Sequence, residues 1–434
     1  CCPVCMALPG ALPVLNKKAV EQTIRAGLAL GFEINQTAIF ERKNYFYPDL
    51  SKAYQISQLE KPICINGHLK VFDKEIPINR IHLEEDAGKL IHQDDLSMID
   101  YNRCGVPLIE LVTDALVEPH IETADEAIEF LTKLRQIYIY AGVADCEMEK
   151  GQMRADVNIS LRPKGSKEFG TKVEMKNIMG FKSIHRAINY EIERQKEILD
   201  DGGVIVQETR KWDNDKGESY SLRTKENAED YRYFPDPDLL AVNISNEEIQ
   251  KIKESMPLLP DQLKKVFLEE YGLNEYDSDV ILANKEVSDL YRACLEMYFQ
   301  PKSVANWFTT EILARIKAED KIQIDKENLV WIIKSVDEKK IRRNAAKDLL
   351  SYIWGTGLNA EAEAKKQGIM ADMSSDAVFE ILDKVLQEKA SVVDQFKQEQ
   401  DPKILNYLVG QVMKETRGKA NAQEVMEKLK ERLS

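Results

Sequence analysis

The sequence predicts an α+β protein: a mainly antiparallel sheet domain with flanking helices over residues 1–250, an all-helical domain over 251–371 and a helical tail over 372–434. Three observations predict it. Strand-like stretches in the first half are joined mostly by short turns, which favours antiparallel pairing over a doubly wound parallel sheet. Arg154, Asp156, Asn158, Ser160 and Arg162 alternate with Ala155, Val157, Ile159 and Leu161, the period-two pattern of a strand with two unlike faces. From Ser245 onward the chain becomes helical, charged and poor in glycine, and it changes again near 368–375.

The elements follow in order. Asn16 is placed to cap a helix whose Val20, Ile24 and Leu28 recur at helical spacing up to Gly31. Arg42-Lys-Asn-Tyr-Phe-Tyr-Pro-Asp49 and Tyr54-Gln-Ile-Ser-Gln58 make an aromatic, hydrogen-bonding passage. It is either aromatic core or a pocket in which Arg42 and Lys43 approach phosphate or RNA. Residues 62–82 alternate weakly about Asn66-Gly67, a predicted hairpin turn, and lead into the acidic run His82-Leu-Glu-Glu-Asp-Ala-Gly-Lys89. Thr123-Ala-Asp-Glu126 is a capping box for a helix that closes near Gly142. Lys172, Glu174 and Lys176 share one face of a further strand, and Phe181, Ile184, Ile188 and Ile192 mark a long amphipathic helix ending at Gly202-Gly203. A hairpin is expected about residues 213–217. Arg223, Arg232 and Tyr233 beyond it either face the same cleft or plug the sheet. Ser245-Asn-Glu-Glu248 is a second capping box.

Composition narrows the function. The 434 residues are 43% hydrophobic and 31% charged, enough for two or three cores. No apolar stretch has membrane-spanning length and no secretory signal stands out, which predicts a cytoplasmic protein. A net charge of −14 discourages unspecific binding to nucleic acid, so an RNA contact has to use local basic patches. Cys64, Cys104, Cys146 and Cys294 are scattered singly, as in a reducing compartment. Cys2 and Cys5 are either incidental thiols or half of a zinc site that takes two ligands from elsewhere.

The chemistry concentrates in three segments, residues 80–89, 100–110 and 148–160. They offer Glu84, Glu85, Asp86, Glu110, Glu149 and Asp156 as oxygen ligands, and Arg80, Arg103 and Arg154 as clamps for phosphate or carboxylate. Such a mixture suits Mg²⁺ with a nucleotide, because Mg²⁺ takes one or two carboxylates together with substrate phosphates. Glu110 interrupts an apolar run and therefore needs a partner, a proton or a metal; an ordinary pair with Arg103 is the plain alternative. The phosphate-binding glycine patterns, Gly-x-Ser-x-Gly and His-Glu-x-x-His do not occur, which disfavours P-loop, Rossmann and nucleophile-bearing hydrolase readings.

Pro3-Val-Cys, Leu8-Pro-Gly-Ala-Leu-Pro13, the two aromatic passages, the acidic run, Asp100-Tyr-Asn-Arg103, Asp156-Val-Asn-Ile-Ser160 and Asp230-Tyr-Arg-Tyr-Phe-Pro235 closely resemble the GatB family. These are the B subunits of bacterial and organellar aspartyl/glutamyl-tRNA amidotransferases, and the resemblance runs the length of the chain. It implies a glutamine-dependent amido-ligase. ATP phosphorylates the side-chain carboxylate of glutamate on tRNA(Gln), or of aspartate on tRNA(Asn), and ammonia displaces the phosphate. The ammonia comes from an amidase-type A subunit, and a small C subunit braces the pair in a heterotrimer. By the same resemblance Glu85, Glu110 and Asp156 hold Mg²⁺, with Glu149, His82, Glu84 and Arg154 supporting and Lys89 and Arg103 touching phosphate. Tyr45 and Tyr47 shape the pocket for the tRNA 3′ end, and Arg417 and Lys419 in the tail touch the tRNA body. The family also has an upstream Gly-Leu-Glu-Val-His and a Cys-x-Cys that completes zinc with Cys2 and Cys5, so the chain looks shortened at its start, and Lys150 stands where the family often has Glu. Two other readings compete: a scaffold that only binds tRNA and partner subunits, and a ligase of a small metabolite that acts without RNA.

Overall fold

In the computed structural model, which describes residues 2–93, 95–224, 231–319, 321–370, 375–399, 401–416, 420 and 422–433, Asn16 opens helix α1 (Lys17–Ala29) as the sequence predicts. Its side chain accepts hydrogen bonds from the backbone N–H groups of Lys18 and Ala19. The chain packs as two units, Cys1–Leu263 and Lys264–Ser434.

The first unit contains α1, strands β1 (Glu33–Ile34), β2 (Thr37–Ala38), β3 (Glu41–Asn44), β4 (Tyr54–Ser57), β5 (Cys64–Val71), β6 (Lys74–Glu85), β7 (Lys89–Gln93), β8 (Leu96–Asp100) and β9 (Pro107–Thr113), and helix α2 (Ala124–Ala141). Beyond them lie β10 (Val157–Ile159), β11 (Val173–Lys176), helix α3 (Phe181–Asp200), β12 (Glu208–Asp213), β13 (Glu218–Thr224), β14 (Phe234–Pro235), β15 (Val242–Asn243) and helix α4 (Asn246–Glu254). One antiparallel sheet has the order β1-β5-β6-β9, and a second has the order β10-β11-β12-β13. Only β11 and β12 of the second sheet run parallel, and α3 makes the crossover between them.

Helix α2 ties the two sheets into one body. Its capping box forms between Thr123 and Glu126, and Gly142 ends it in a left-handed conformation, both as predicted. Phe130, Leu134 and Tyr138 enter the core of the first sheet, while Ala124, Ala127 and Ile128 enter that of the second. The strand predicted over 154–162 is regular only at Val157–Ile159. Its alternation nonetheless holds: Ala155, Val157 and Ile159 pack inward, and Arg154, Asp156 and Asn158 stay exposed.

The predicted 62–82 hairpin forms, but its turn lies at Phe72-Asp73 and not at Asn66-Gly67. Asn66 takes a left-handed φ of +57° within β5, and the Phe32 ring lies so close to Gly67 that any Cβ there would overlap it. Both properties that suggested a turn are present, and a strand uses them. Strand β6 then carries a bulge between Ile78 and Arg80 against β9. Ahead of the bulge Ile76 and Ile78 enter the core, whereas past it Ile81 and Leu83 do, so the core-facing set moves from even to odd positions.

The described residues of the second unit form helices and no strand. Among them Ser375–Glu388, Pro402–Glu415 and Ala422–Leu433 share a core of Leu382, Leu405, Leu408, Val412 and Leu429. Among the described residues no helix is long and apolar enough to cross a membrane.

The packing at Gly67 predicts that Gly67→Ala destabilises the first unit by about 1–3 kcal/mol, the range for forcing a methyl group into a filled core. Asn66→Gly, at a φ that glycine adopts freely, changes stability by less than about 1 kcal/mol. Urea unfolding of the two variants beside the wild type measures both.

Candidate functional site

Past its bulge β6 presents His82 and Glu84 on the face away from Ile81 and Leu83. His82 lies directly opposite Glu110 of β9, whose neighbours Ile109 and Leu111 pack on the core. Alternation therefore carries Glu110 to the same face as His82, which explains a carboxylate within an apolar run. His82 Nε2 stands 3.7 Å from Glu84 Oε2 and 3.6 Å from Glu110 Oε2. One ligand atom from each of the three residues falls within 4.8 Å of the others, the one such group among the described residues. His82 and Glu84 are buried, Glu110 is half-exposed, and His82 Nδ1 is buried without a hydrogen-bond partner.

Strands β3 and β4 and the segment 231–238 wall this group. Ser57 Oγ donates to Glu84 Oε2 across 3.3 Å, and the Tyr233 hydroxyl lies within electrostatic reach of Glu84 and Glu110. Lys43 Nζ sits 4.8 Å from the centre of the Tyr231 ring and 5.9 Å from that of Tyr45, within electrostatic reach of Glu84 and Glu110. Arg42 fastens the segment: Nε donates to Asp236 across 3.0 Å and Nη2 to Asp238 across 2.7 Å, with the guanidinium 4.2 Å above the Tyr54 ring centre.

The two carboxylates are driven apart. Burial pushes the Glu84 carboxyl up, but the nearby His82, with the charge of Lys43 and the hydrogen bond from Ser57, outweighs it and holds the group below its ordinary value. Burial pushes Glu110 up as well, and there the repulsion from Glu84 adds to it, so Glu110 stays above its ordinary value despite His82, Lys43 and Arg80. Burial likewise raises the hydroxyls of Tyr45 and Tyr233, the latter to about 12.

The structure brings Glu110, Glu84 and His82 together and sends other predicted residues elsewhere. Glu85 points opposite to Glu84, as adjacent strand residues must, and receives Lys52 Nζ at 2.5 Å and the Ile56 N–H at 3.2 Å. Asp156 pairs with Lys176 at 3.3 Å, outside the His82 group. Arg103 pairs with Asp86 at 2.7 Å and not with Glu110, and Arg154 joins the same aspartate at 2.9 Å. Glu149 and Lys89 are exposed, Glu149 on the turn at 148–151 and Lys89 at the start of β7. Tyr45 is half-buried beside Tyr231 and Tyr47 is exposed. Cys2 and Cys5 bring their Sγ atoms to 3.3 Å, two soft ligands that suit one half of a zinc site. Arg417 and Lys419 lie outside the described residues, as does the side chain of Arg223. Sequence reasoning passed over Ser57 and left Tyr233 undecided. The available signal was the density of polar side chains in Gln55-Ile-Ser-Gln58; Gln55, Ser57 and Gln58 are all buried at or just past β4.

Known proteins resemble the whole chain. The sequence profile described as the GatB/GatE catalytic domain matches residues 1–250, and that described as the GatB domain matches 289–433. Proteins named as B subunits of an aspartyl/glutamyl-tRNA(Asn/Gln) amidotransferase are 45% identical in Thermoanaerobacter sp. (strain X514), 46% in Persephonella marina and 45% in Caldicellulosiruptor bescii. Each alignment covers 100% of this chain and 92% of the relative. The chain belongs to the GatB family.

The charge balance around Glu84 predicts the effect of His82→Asn. With His82 gone, burial of Glu84 is less well offset, and its carboxyl titrates higher than in the wild type by carbon-13 NMR. A carboxylate depressed on folding contributes stability above its unfolded pKa and loses it as pH falls through the folded value. His82→Asn reduces that contribution, so its acid-unfolding midpoint shifts to higher pH.

Proposed function

We propose that this member of the GatB family activates the side-chain carboxylate of an amino acid esterified to tRNA and converts it to an amide, and that the His82, Glu84 and Glu110 cluster is where it does so. The observation that carries the reading is the cross-strand approach of His82 to Glu110 with Glu84 alongside, which gathers metal-ligating atoms within 4.8 Å. A carboxylate is a poor electrophile until one of its oxygens becomes a leaving group. In the proposed reaction the γ-phosphoryl group of ATP passes to that oxygen, ADP departs, and ammonia displaces phosphate to leave the amide. The relatives' names carry glutamyl- and aspartyl-tRNA as substrates, so glutamate on tRNA(Gln) and aspartate on tRNA(Asn) are both proposed here.

The donor set fits Mg²⁺: two carboxylates, Glu84 and Glu110, with His82 behind them and room on the open side of Glu110 for substrate oxygens. When bound, the ion would offset the charge of the transferring phosphoryl group. Glu84 is held ionised by His82 and Ser57, ready to ligate. Lys43, kept between aromatic rings, supplies positive charge near both carboxylates, and Lys89 and Arg103 are the proposed phosphate contacts. Tyr45 and Tyr47 offer ring faces to the tRNA 3′ end, and the tail beyond 371, with Arg417 and Lys419, offers the proposed contact with the tRNA body. An amidase-type A subunit would deliver ammonia and a small C subunit would complete a cytoplasmic heterotrimer. Cys2 and Cys5 would hold zinc only with two ligands that the described residues do not supply.

The test follows radiolabelled glutamyl-tRNA and aspartyl-tRNA to their amides with ATP, Mg²⁺ and ammonium, on the chain together with its A and C partners. Glu84→Gln and Glu110→Gln slow conversion by about 100-fold or more, with tRNA affinity unchanged. Both also weaken Mn²⁺ binding read by electron paramagnetic resonance, and EDTA abolishes turnover. Asp156→Ala, outside the cluster, costs less than either. Full conversion by both glutamine variants would return the chain to the role of a tRNA-binding scaffold.

A further inference from the structure

A second constellation stands at the end of β6. The Asp86 residue is 7% exposed, yet its carboxylate meets two arginines. Nη2 of Arg154 donates to Oδ1 across 2.9 Å and to Oδ2 across 3.0 Å, and Nη2 of Arg103 lies 2.7 Å from Oδ2. The main chain that carries the aspartate is pinned, because its N–H donates to the Val106 carbonyl across 2.8 Å and its carbonyl accepts from the Gly105 N–H at 2.9 Å. On the far side the turn at 148–151 lies flat on one arginine: Gly151 has φ +66°, and a Cβ there would stand 2.7 Å from Arg103 Nη1.

Two guanidinium groups face one carboxylate, so Asp86 alone does not neutralise both arginines. The arginine side chains are 44% and 61% exposed, while the carboxylate that holds them is buried. Without Asp86 the two cations would repel one another and splay; with it, both guanidinium groups are held against one carboxylate while each side chain stays partly exposed. A planar fork on each side matches the oxygen geometry of a phosphate group. Asp49 adjoins the clamp and keeps Oδ1 buried without a partner. The Tyr45 hydroxyl feels the charges of both Asp49 and Glu84, which brings the clamp and the His82 cluster within electrostatic reach of one group.

We propose that Asp86 is a positioning residue that holds Arg103 and Arg154 as a two-armed clamp for a phosphate group of the substrate, beside the carboxylate cluster. The proposal rests on the ATP-dependent reading above and adds the residue that organises the phosphate contact. The phosphate belongs either to the nucleotide or to the 3′ end of the tRNA.

The experiment compares wild type, Asp86→Asn, Asp86→Glu and Arg154→Lys as full chains. Radiolabelled ATP is measured by equilibrium dialysis and tRNA by filter binding, with a thermal melt for each protein and KM and kcat for ATP with the A and C partners present. Asp86→Asn and Arg154→Lys weaken one phosphate ligand by about tenfold or more, KM rises more than kcat falls, and Asp86→Glu recovers part of the loss. A loss confined to ATP assigns the clamp to the nucleotide, and a loss confined to tRNA assigns it to the RNA terminus. If the wild type binds no ATP while the variants lose tRNA, the ATP-dependent reading fails and the clamp stands. If folded Asp86→Asn binds both ligands within twofold of wild type, the clamp is overturned. An equal loss of both that Asp86→Glu does not restore marks a structural role and overturns it too. Should Asp86→Asn not fold, Arg154→Lys at its exposed position decides alone: affinity within twofold of wild type overturns the proposal.

Discussion

The bulge between Ile78 and Arg80 is the constraint on which the site depends. A strand with one buried face can change which positions face the core only by gaining a residue, and β6 does so midway. Before the bulge β6 serves the hydrophobic core with Ile76 and Ile78; after it the same strand keeps Ile81 and Leu83 in the core and turns His82 and Glu84 to the opposite side. An unbulged β6 would drive the histidine and the glutamate into the sheet core, where unpaired charge is costly.

The face so created is tolerable because each charge has a counterpart. Glu84 has His82 and Ser57, Glu85 on the other face has Lys52, and Asp86 at the strand end has Arg103 and Arg154. Three consecutive acidic residues thus go to three different partners. Glu110 is the exception: partial desolvation and the charge of Glu84 both raise it, and its side chain is still half-exposed. A carboxylate that lacks full compensation and is partly exposed is the one most receptive to an added cation.

Much of this was legible in the chain. Asn16, the capping boxes at Thr123 and Ser245, and the alternation at 154–159 announce local structure through hydrogen bonds and periods spanning only a few residues. Glu110 announced itself by sitting in an apolar run. What misled was also physical. Asn66-Gly67 carries the positive φ and the bare Cα that make turns, but Phe32, distant in sequence, is the reason for the missing side chain. Glu84, Glu85 and Asp86 read as equivalent ligands because composition does not record which way successive strand residues point.

From the sequence alone came the α+β class, the change to helix near Ser245, the family resemblance and the three segments that carry charge, because each depends on residue type and short-range order. Only the tertiary structure decided which acids meet. The His82–Glu110 approach depends on strand register across β6 and β9, the isolation of Glu85 on pleat direction, and the Asp86 clamp on arginines delivered by two separate segments. Register and pleat are properties of paired strands, and no residue carries them singly.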